Sequence, residues 1–212
     1  MEKQCVFGWK KPIEEDIYFY GRGIETKEIL EHLSNNKNVF LIGSRKIGKT
    51  SLITHLLRED VQQLQGMLPK RHIFVYIDFN DPHYQSPNNF WADAIGEIGV
   101  ILNAKRMREE PHQKQVNKIA PLTDEDLEQE MIEDTEVEEK KEKETSSYSN
   151  EELIRFFQDA VKQHQVTIVM DGFECLIKKN TFGSKFYNQL KQLVEQINNL
   201  SYLVVSNKNF SQ

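Results

Sequence analysis

Short apolar runs alternate along this chain with stretches whose apolar residues recur at every third or fourth position. The apolar runs occupy residues 39–42, 73–79, 166–170 and 202–205 and have strand character. The stretches between them, at 51–57, 89–103, 150–161 and 186–200, show helical spacing. Strands that alternate with helices are typical of a parallel sheet covered by helices. We therefore predict an α/β fold with a parallel sheet of about four strands.

Three of these segments carry additional detail. Residues 166–170 are almost wholly apolar, which predicts a strand buried on both faces of a parallel sheet. Ser149 and Glu152 form the S-x-x-E pattern of a capping box, so a helix is expected to begin directly after Ser149. The apolar positions that define the other two long helices are Trp91, Ile95, Ile98 and Leu102 in one, and Phe186, Leu190, Leu193, Ile197 and Leu200 in the other.

Residues 104–150 interrupt this pattern. They are rich in Glu, Lys, Gln and Asp, and between Asp124 and Glu144 they hold 12 acidic residues against three lysines, a net charge of −9. Such a segment buries too little apolar surface to offset the entropy of ordering it. We predict one domain formed by residues 1–103 and 151–212 and an acidic insertion at 104–150, mostly disordered or held loosely as a charged helix. A docking site for a basic partner is the alternative for this insertion.

Composition limits the class of protein. The 212 residues are 38% hydrophobic and 28% charged, and no apolar run approaches the roughly 18 residues that a membrane span needs. Cys5 and Cys175 lie far apart, without histidine at metal-ligand spacing, which favours a reducing compartment and no zinc site. The net charge of −6 becomes about +3 without the acidic block, and no basic stripe indicates nucleic acid. We expect a cytoplasmic protein that does not bind membranes.

Residues 43–50, GSRKIGKT, match the phosphate-binding pattern G-x-x-x-x-G-K-[ST]. A predicted strand precedes the match and a predicted helix follows it, so backbone N–H groups and the positive end of the helix dipole converge on one point. Lys49 is expected to be solvated in the empty loop and to reach the β- and γ-phosphates, and the Thr50 hydroxyl to bind Mg²⁺. The predicted nucleotide-binding residues of this loop are Gly43, Ser44, Arg45, Lys46, Ile47, Gly48, Lys49, Thr50 and Ser51.

The third strand supplies candidate acids for the same site. Asp171 follows the buried run 166–170, at the strand end where α/β sheets bind ligands, and is predicted to hold Mg²⁺ together with Thr50. Glu174 lies just beyond and is the candidate base that positions water. The alternatives are a turn or cap residue for Asp171 and a solvated loop carboxylate for Glu174. An acid directly after Asp171 would be a clearer base, but that position is Gly172.

Two rival classes of P-loop protein fit the sequence poorly. A GTPase needs D-x-x-G after the third strand, whereas the fourth residue here is Glu174. It also needs N-K-x-D, and Phe210 stands where the guanine-reading aspartate belongs. A small-molecule kinase needs an arginine-rich lid, which we do not see. ATP is therefore the expected nucleotide.

Three segments together resemble the STAND and archaeal-type P-loop ATPases, relatives of AAA+ proteins. Residues 19–25, FYGRGIE, resemble their F-x-G-R-x-x-E motif, residues 171–174, DGFE, their Walker B motif, and residues 206–208, SNK, their sensor tripeptide. The resemblance implies a three-layer P-loop NTPase fold, with Gly21 and Arg22 near adenine and ribose. It also implies that Lys208 reaches the γ-phosphate and that Lys208 and Glu174 are the catalytic residues.

From these residues we expect an ATP-binding, slowly hydrolysing switch of the STAND-like type in signalling or defence, with Mg²⁺ as cofactor. The alternatives are a nucleotide-dependent scaffold that does not hydrolyse ATP, and a DNA-associated ATPase of the initiator kind. The sequence stops seven residues after Val205, before the fifth strand and the C-terminal lid of such ATPases. We therefore expect either a fragment or a minimal module that needs self-association or a protein partner to hydrolyse ATP.

Overall fold

The computed structural model describes residues 21–109, 148–179 and 182–207. Within these ranges, strands and helices alternate in the predicted manner. They are α1 (Gly23–Ser34), β1 (Val39–Ile42), α2 (Lys49–Leu56), α3 (Glu59–Leu64), β2 (His72–Asp78), α4 (Pro87–Glu109), α5 (Asn150–Ala160), β3 (Gln165–Asp171), α6 (Glu174–Lys179), α7 (Ser184–Gln196) and β4 (Leu200–Ser206).

The four described strands form one parallel sheet in the order β1-β4-β3-β2. Every step from one strand to the next along the chain passes through at least one helix, as parallel pairing requires. Strands β3 and β4 lie in the centre and are buried along almost their whole length. The predicted α/β fold with a parallel sheet of about four strands is confirmed.

Helices cover both faces of the sheet, so the described residues form three layers. On one face, side chains of β2, β3 and β4 pack against α4, α5, α6 and α7 in a cluster that contains Trp91, Phe157 and Phe186. On the other face, Val169, Leu203 and other strand residues pack against apolar residues of α1, α2 and α3. Burial of these two surfaces is the main driving force that holds the layers together.

The capping box predicted at Ser149 and Glu152 is present. The Ser149 hydroxyl accepts a hydrogen bond from the Glu152 N–H at 3.2 Å, and the Glu152 carboxylate accepts one from the Ser149 N–H at 2.8 Å. Two N–H groups that the first helical turn leaves unpaired are thereby satisfied. Helix α5 therefore begins where the sequence predicts.

The end of α4 differs from the prediction, since the helix continues past Asn103 to Glu109. Lys105 lies in this extension, and its Nζ donates to the carbonyl oxygens of Pro69, Lys70 and His72 at 2.9–3.0 Å. The first residues of the predicted insertion thus belong to the packed domain. Residues 110–147, which hold the acidic block, lie outside the described residues.

Two further differences concern the helices. The sequence pattern does not predict helices α1, α3 and α6. Helix α7 ends at Gln196, and Ile197 is its C-cap. Leu200 therefore begins β4 and does not end a helix. Both Ile197 and Leu200 are buried in the same core, which is why apolar spacing alone assigned them to one element.

Because all four strands run in the same direction, their carboxyl ends share one edge of the sheet. Ile42, Asp78, Asp171 and Ser206 lie at this edge, and the loop that follows β1 starts there. No helix in the part of the chain that the structure describes combines the length and the apolar character needed to cross a membrane.

Candidate nucleotide-binding site

The loop between β1 and α2 has the backbone conformation of a phosphate cradle. The Gly43 N–H donates to the Ser206 carbonyl at 3.2 Å, which ties the start of the loop to the end of β4. Gly48 is the N-cap of α2 with φ +89°, a conformation that favours glycine. A Cβ at Gly43 would lie only 3.2 Å from Cγ2 of Ile47. The φ of Gly48 thus favours glycine there, and a side chain at position 43 would require Ile47 to shift by a small distance.

The rest of the loop faces solvent. Ser44, Arg45, Lys46, Ile47 and Gly48 are exposed, and the N–H groups of the first turn of α2 point away from the helix toward the same side. Lys46 also has a positive φ, +62°, so two of the six residues 43–48 adopt left-handed conformations. Residues in alternating right- and left-handed conformations form concave anion sites lined by N–H groups. This loop can accept phosphate oxygens without rearranging buried groups.

Lys49 is partly buried and already has hydrogen-bond partners in the empty loop, whereas the sequence predicts a solvated side chain. Its Nζ donates to the carbonyl oxygens of Gly43 at 2.8 Å and Ser44 at 3.0 Å. The side chain thus folds back over the loop and neutralises two carbonyl dipoles that would otherwise repel a phosphate. A nucleotide would compete with these carbonyls for the same ammonium group.

Thr50 and Asp171 meet across the two halves of the site. The Thr50 hydroxyl donates to Oδ2 of Asp171 at 2.8 Å, although 120 residues separate them in the chain. The same oxygen accepts a weaker hydrogen bond from the Tyr76 hydroxyl at 3.3 Å, and Oδ1 accepts from the Gly172 N–H at 2.8 Å. The hydroxyl and carboxylate that the sequence assigned to Mg²⁺ therefore lie within one hydrogen bond of each other.

The environment of Asp171 makes this carboxyl a weaker acid. The side chain is buried, and burial is the main cause that raises its pKa, with the nearby charge of Asp78 adding to it. Hydrogen bonds from Thr50, Gly172 and Tyr76 act in the opposite direction but do not cancel the effect. A cation that lies beside a buried carboxylate of this kind stabilises its ionised form.

Glu174 is buried and does not lie in a solvated loop. It is the first residue of α6, only 7% exposed, and its Oε2 accepts a hydrogen bond from the backbone N–H of Asn207 at 3.2 Å. The contact joins Glu174 to the end of β4, which is the segment compared above with a sensor tripeptide. Lys208, the next residue along, lies outside the described residues.

Arg22 contacts the phosphate loop directly. Its Nη2 donates to the Ile47 carbonyl at 2.9 Å, and its Nη1 pairs with Glu25 at 3.2 Å. Arg22 is also the N-cap of α1, where its carbonyl accepts from the N–H and the hydroxyl of Thr26. Gly21 precedes it with φ +81°. The structure therefore brings Arg22 against Ile47 of the loop, 25 positions away in sequence.

Three polar residues of β2 and its following loop also belong to the site, and the sequence did not identify them. Asp78 is the register partner of Asp171, and Tyr76 donates to Asp171. Asn80 donates twice to Oδ1 of Asp78, from its N–H at 2.9 Å and its Nδ2 at 2.7 Å. An aspartate near the end of the apolar run 73–79 is the available signal, but its closeness to Asp171 depends on β2 and β3 being neighbours.

Oxygen donors from Thr50 and Asp171 suit a hard cation such as Mg²⁺, which retains water and uses few protein ligands. Within the described ranges, no group of three or more His, Cys, Asp or Glu side chains could hold a metal ion by itself. The donor set therefore fits a cation that is shared with a phosphate group.

Comparison with known proteins agrees with this geometry. A family model described as an AAA domain matches residues 31–210. The solved structure of "the Walker-type ATPase PABY2304 of Pyrococcus abyssi" superposes with a TM-score of 0.53 and 14% sequence identity, over 93% of this chain and 48% of that chain. At this identity the likeness concerns the fold alone, and the chain spans about half the length of that structure. No curated protein matches the chain significantly.

Proposed function

Because the chain belongs to the AAA domain family, we propose that it is a nucleotide-binding P-loop ATPase that acts as a slowly hydrolysing ATP switch of the STAND-like type, in signalling or defence. The hydrogen bond between Thr50 and Asp171 is the observation that carries this proposal. It joins the residue that follows the phosphate loop to the end of β3. A ligand that displaces this hydrogen bond would therefore change the contacts of both elements.

In the proposed complex, the loop N–H groups and Lys49 hold the phosphates. Thr50 and Asp171 would hold Mg²⁺, which supplies positive charge to the phosphate oxygens. Arg22, already bonded to the Ile47 carbonyl, lies where it would fix the outer edge of the loop against α1. Gly21 and Arg22 would border the adenine and ribose, as the resemblance to STAND proteins suggests.

Glu174 is the proposed base that positions water for hydrolysis, with Lys208 as the second catalytic residue. The test is Glu174→Gln, because glutamine keeps an oxygen that can accept the Asn207 N–H while it removes the charge. If Glu174 is the base, turnover should fall at least about a hundredfold while Mg·ATP affinity stays within about twofold. The control is Glu151→Gln, an exposed residue in the first turn of α5, which should leave turnover unchanged.

A second candidate function is a nucleotide-dependent scaffold that holds ATP and seldom hydrolyses it. The burial of Glu174 and its bond to Asn207 favour this alternative, since a carboxylate engaged with the backbone is less free to activate water. In that case the parent protein turns ATP over at a background rate, and Glu174→Gln has no effect on it. Single-turnover hydrolysis of radiolabelled ATP separates the two functions.

We also propose that a second subunit or a protein partner completes the ATPase by covering β1. In the described sheet β1 is an edge strand, and two of its apolar side chains are exposed, Phe40 by 61% and Ile42 by 45%. Edge strands with exposed apolar residues are ready sites for added contacts. A trans arginine would then add positive charge at the phosphates, an effect worth about 10³–10⁵ in rate where it is used.

Turnover per chain, measured against protein concentration and with added candidate partners, tests this second proposal. We expect the rate to rise as copies associate or the partner is added, and Phe40→Lys to abolish that rise. Leu64→Lys is the matched control, because Leu64 is 82% exposed on α3 and should not affect association. A rate of about 1 s⁻¹ that does not change on dilution of a monomer would contradict the proposal, since it lies within the range of complete enzymes.

A further inference from the structure

A cavity of about 790 Å³ opens at the edge of the sheet where the strands begin, opposite the phosphate loop. One wall is the segment before β2, with Lys70 and Arg71, and the facing wall is the segment between α5 and β3, with Lys162. Ser34 at the end of α1 and Asn199 just before β4 close it. We call this cavity the basic cleft.

The charged residues of the basic cleft are almost all positive. Lys70, Arg71 and Lys162 are exposed along it, and a smaller adjoining cavity is lined by Lys105 and Arg106 of α4. Asp159 also lines the adjoining cavity, and it pairs with Lys162 at 2.8 Å. None of the ion pairs among residues 21–109, 148–179 and 182–207 involves Lys70 or Arg71. The cleft therefore carries positive charge that the described residues do not neutralise.

The walls of the basic cleft are fixed by hydrogen bonds to the backbone. The Lys105 Nζ donates hydrogen bonds to the carbonyls of Pro69, Lys70 and His72. The Gln165 N–H donates to the Arg71 carbonyl at 2.7 Å. The Gln165 side chain also donates to the Ser34 carbonyl at 2.9 Å. A site whose walls are already fixed loses little conformational entropy when a ligand binds.

We infer that the basic cleft binds a carboxylate-rich peptide, and that its occupant is this chain's own acidic segment, residues 124–144. The segment has a net charge of −9, whereas the rest of the chain has about +3. Opposite charges of this size attract over about 10 Å at moderate salt.

The position of the segment in the chain supports the same occupant. Helix α4 ends at Glu109, three residues after Arg106, which lines the adjoining cavity. Fourteen residues, 110–123, lie between Glu109 and Asp124, and even a random coil of fourteen residues spans about 20 Å on average. The acidic segment can therefore reach the basic cleft without rearrangement of the domain.

The lining of the cleft argues against nucleic acid as the ligand. Among the described residues that line it, none is a Phe, Tyr or Trp, and His164 is the one aromatic ring on which a base could stack. Its apolar members are aliphatic, namely Met67, Leu68 and Val161. Such a surface suits the aliphatic side chains that alternate with the acids of the segment, for example Leu127 and Ile132.

Lysine acetylation in the full-length protein, followed by mass spectrometry, tests the inference. The comparison is with a full-length variant in which every Asp and Glu of residues 124–144 is replaced by its amide. At low salt Lys70 and Lys162 should react at least about threefold faster in the variant, because the variant has no carboxylates to pair with these ammonium groups. Lys27 and Lys191, exposed lysines of α1 and α7, are internal controls and should react equally in both proteins.

A second measurement substitutes residues of the basic cleft and leaves the acidic segment unchanged. Lys70→Glu combined with Arg71→Glu should raise the rate of proteolysis within residues 110–147 at least about threefold at low salt, and the difference should disappear at high salt. Lys27→Glu combined with Lys191→Glu is the control and should have no effect. Thermal unfolding and Mg·ATP binding verify that each variant is folded.

Three results would overturn the inference. Equal acetylation of Lys70 and Lys162 in the parent and the amide variant would show that the segment does not occupy the cleft. Protection that is lost on twentyfold dilution would assign the occupant to another copy of the chain. Displacement of the segment by a stoichiometric single-stranded oligonucleotide, with equal protection of Lys70, would make the cleft a nucleic-acid site.

Discussion

A Cβ atom at position 172 would lie 2.5 Å from Nδ2 of Asn80. Gly172 also has φ +70°, a conformation that side chains disfavour. To move away, the exposed Asn80 side chain would give up two hydrogen bonds: its Nδ2 donates to Asp78, and its Oδ1 accepts from the thiol of Cys175 at 3.4 Å. The positive φ and this contact both favour glycine at position 172.

Gly172→Ala should therefore lower the free energy of unfolding, by about 1–2 kcal/mol from the positive φ alone and by more from the contact with Asn80. Urea unfolding measures the change. Gly96→Ala, in the exposed middle of α4, is the control with the opposite sign, since alanine there should stabilise the helix by about 0.5–1 kcal/mol. Adding Asn80→Ala to Gly172→Ala should recover only the steric part of the loss.

Lys49→Ala should weaken Mg·ATP binding at least tenfold, because charge-assisted hydrogen bonds to the phosphates, roughly 1.5–3 kcal/mol each, are lost. It should also reduce stability slightly, since Lys49 bonds to the carbonyls of Gly43 and Ser44 in the empty loop. Calorimetry with Mg·ATP measures the affinity. Arg45→Ala removes one charge from the same exposed loop without removing its N–H and should cost much less. Parent-like affinity in Lys49→Ala would mean that this loop is not the phosphate site.

Asp171→Asn should separate stability from binding. Burial raises the pKa of Asp171, so its contribution to stability is full below the unfolded-state pKa and is lost as the pH rises through the folded-state pKa. The ionised side chain therefore lowers the free energy of unfolding at neutral pH. We expect Asp171→Asn to unfold at the same or a higher urea concentration than the parent while it loses the Mg²⁺-dependent part of ATP affinity. A marked loss of stability would show that its hydrogen bonds outweigh the cost of the buried charge.

His72 should make stability depend on pH. Its ring is buried, its Nε2 lies 2.8 Å from the Thr167 hydroxyl, and burial lowers its pKa to about 4. The unfolded chain binds this proton near pH 6.5, so stability should fall as the pH drops from 6.5 toward 4, with a limiting slope of about 1.4 kcal/mol per pH unit. His72→Gln should remove this part of the slope, whereas His32→Gln, at an exposed position of α1, should not.

Local sequence determined most elements of the fold. Apolar runs placed all four described strands, and the serine and glutamate of the capping box placed the start of α5. These signals are short-range, because residues within a few positions of each other specify a strand or a cap. Such patterns can be recognised without knowledge of the rest of the chain. The GSRKIGKT pattern is of the same kind, because six consecutive residues set the backbone of the loop.

Tertiary structure decided what depends on neighbours that are distant in sequence. The end of helix α4 packs on the domain because Lys105 donates hydrogen bonds to the carbonyls of Pro69, Lys70 and His72. No local sequence pattern predicts that contact. Asp78 joins the site because β2 pairs with β3 in the register that places it beside Asp171, and Glu174 is buried because β4 brings Asn207 to it. Strand order, register and the burial of polar groups result from packing the whole sheet, so they are not properties of any single segment.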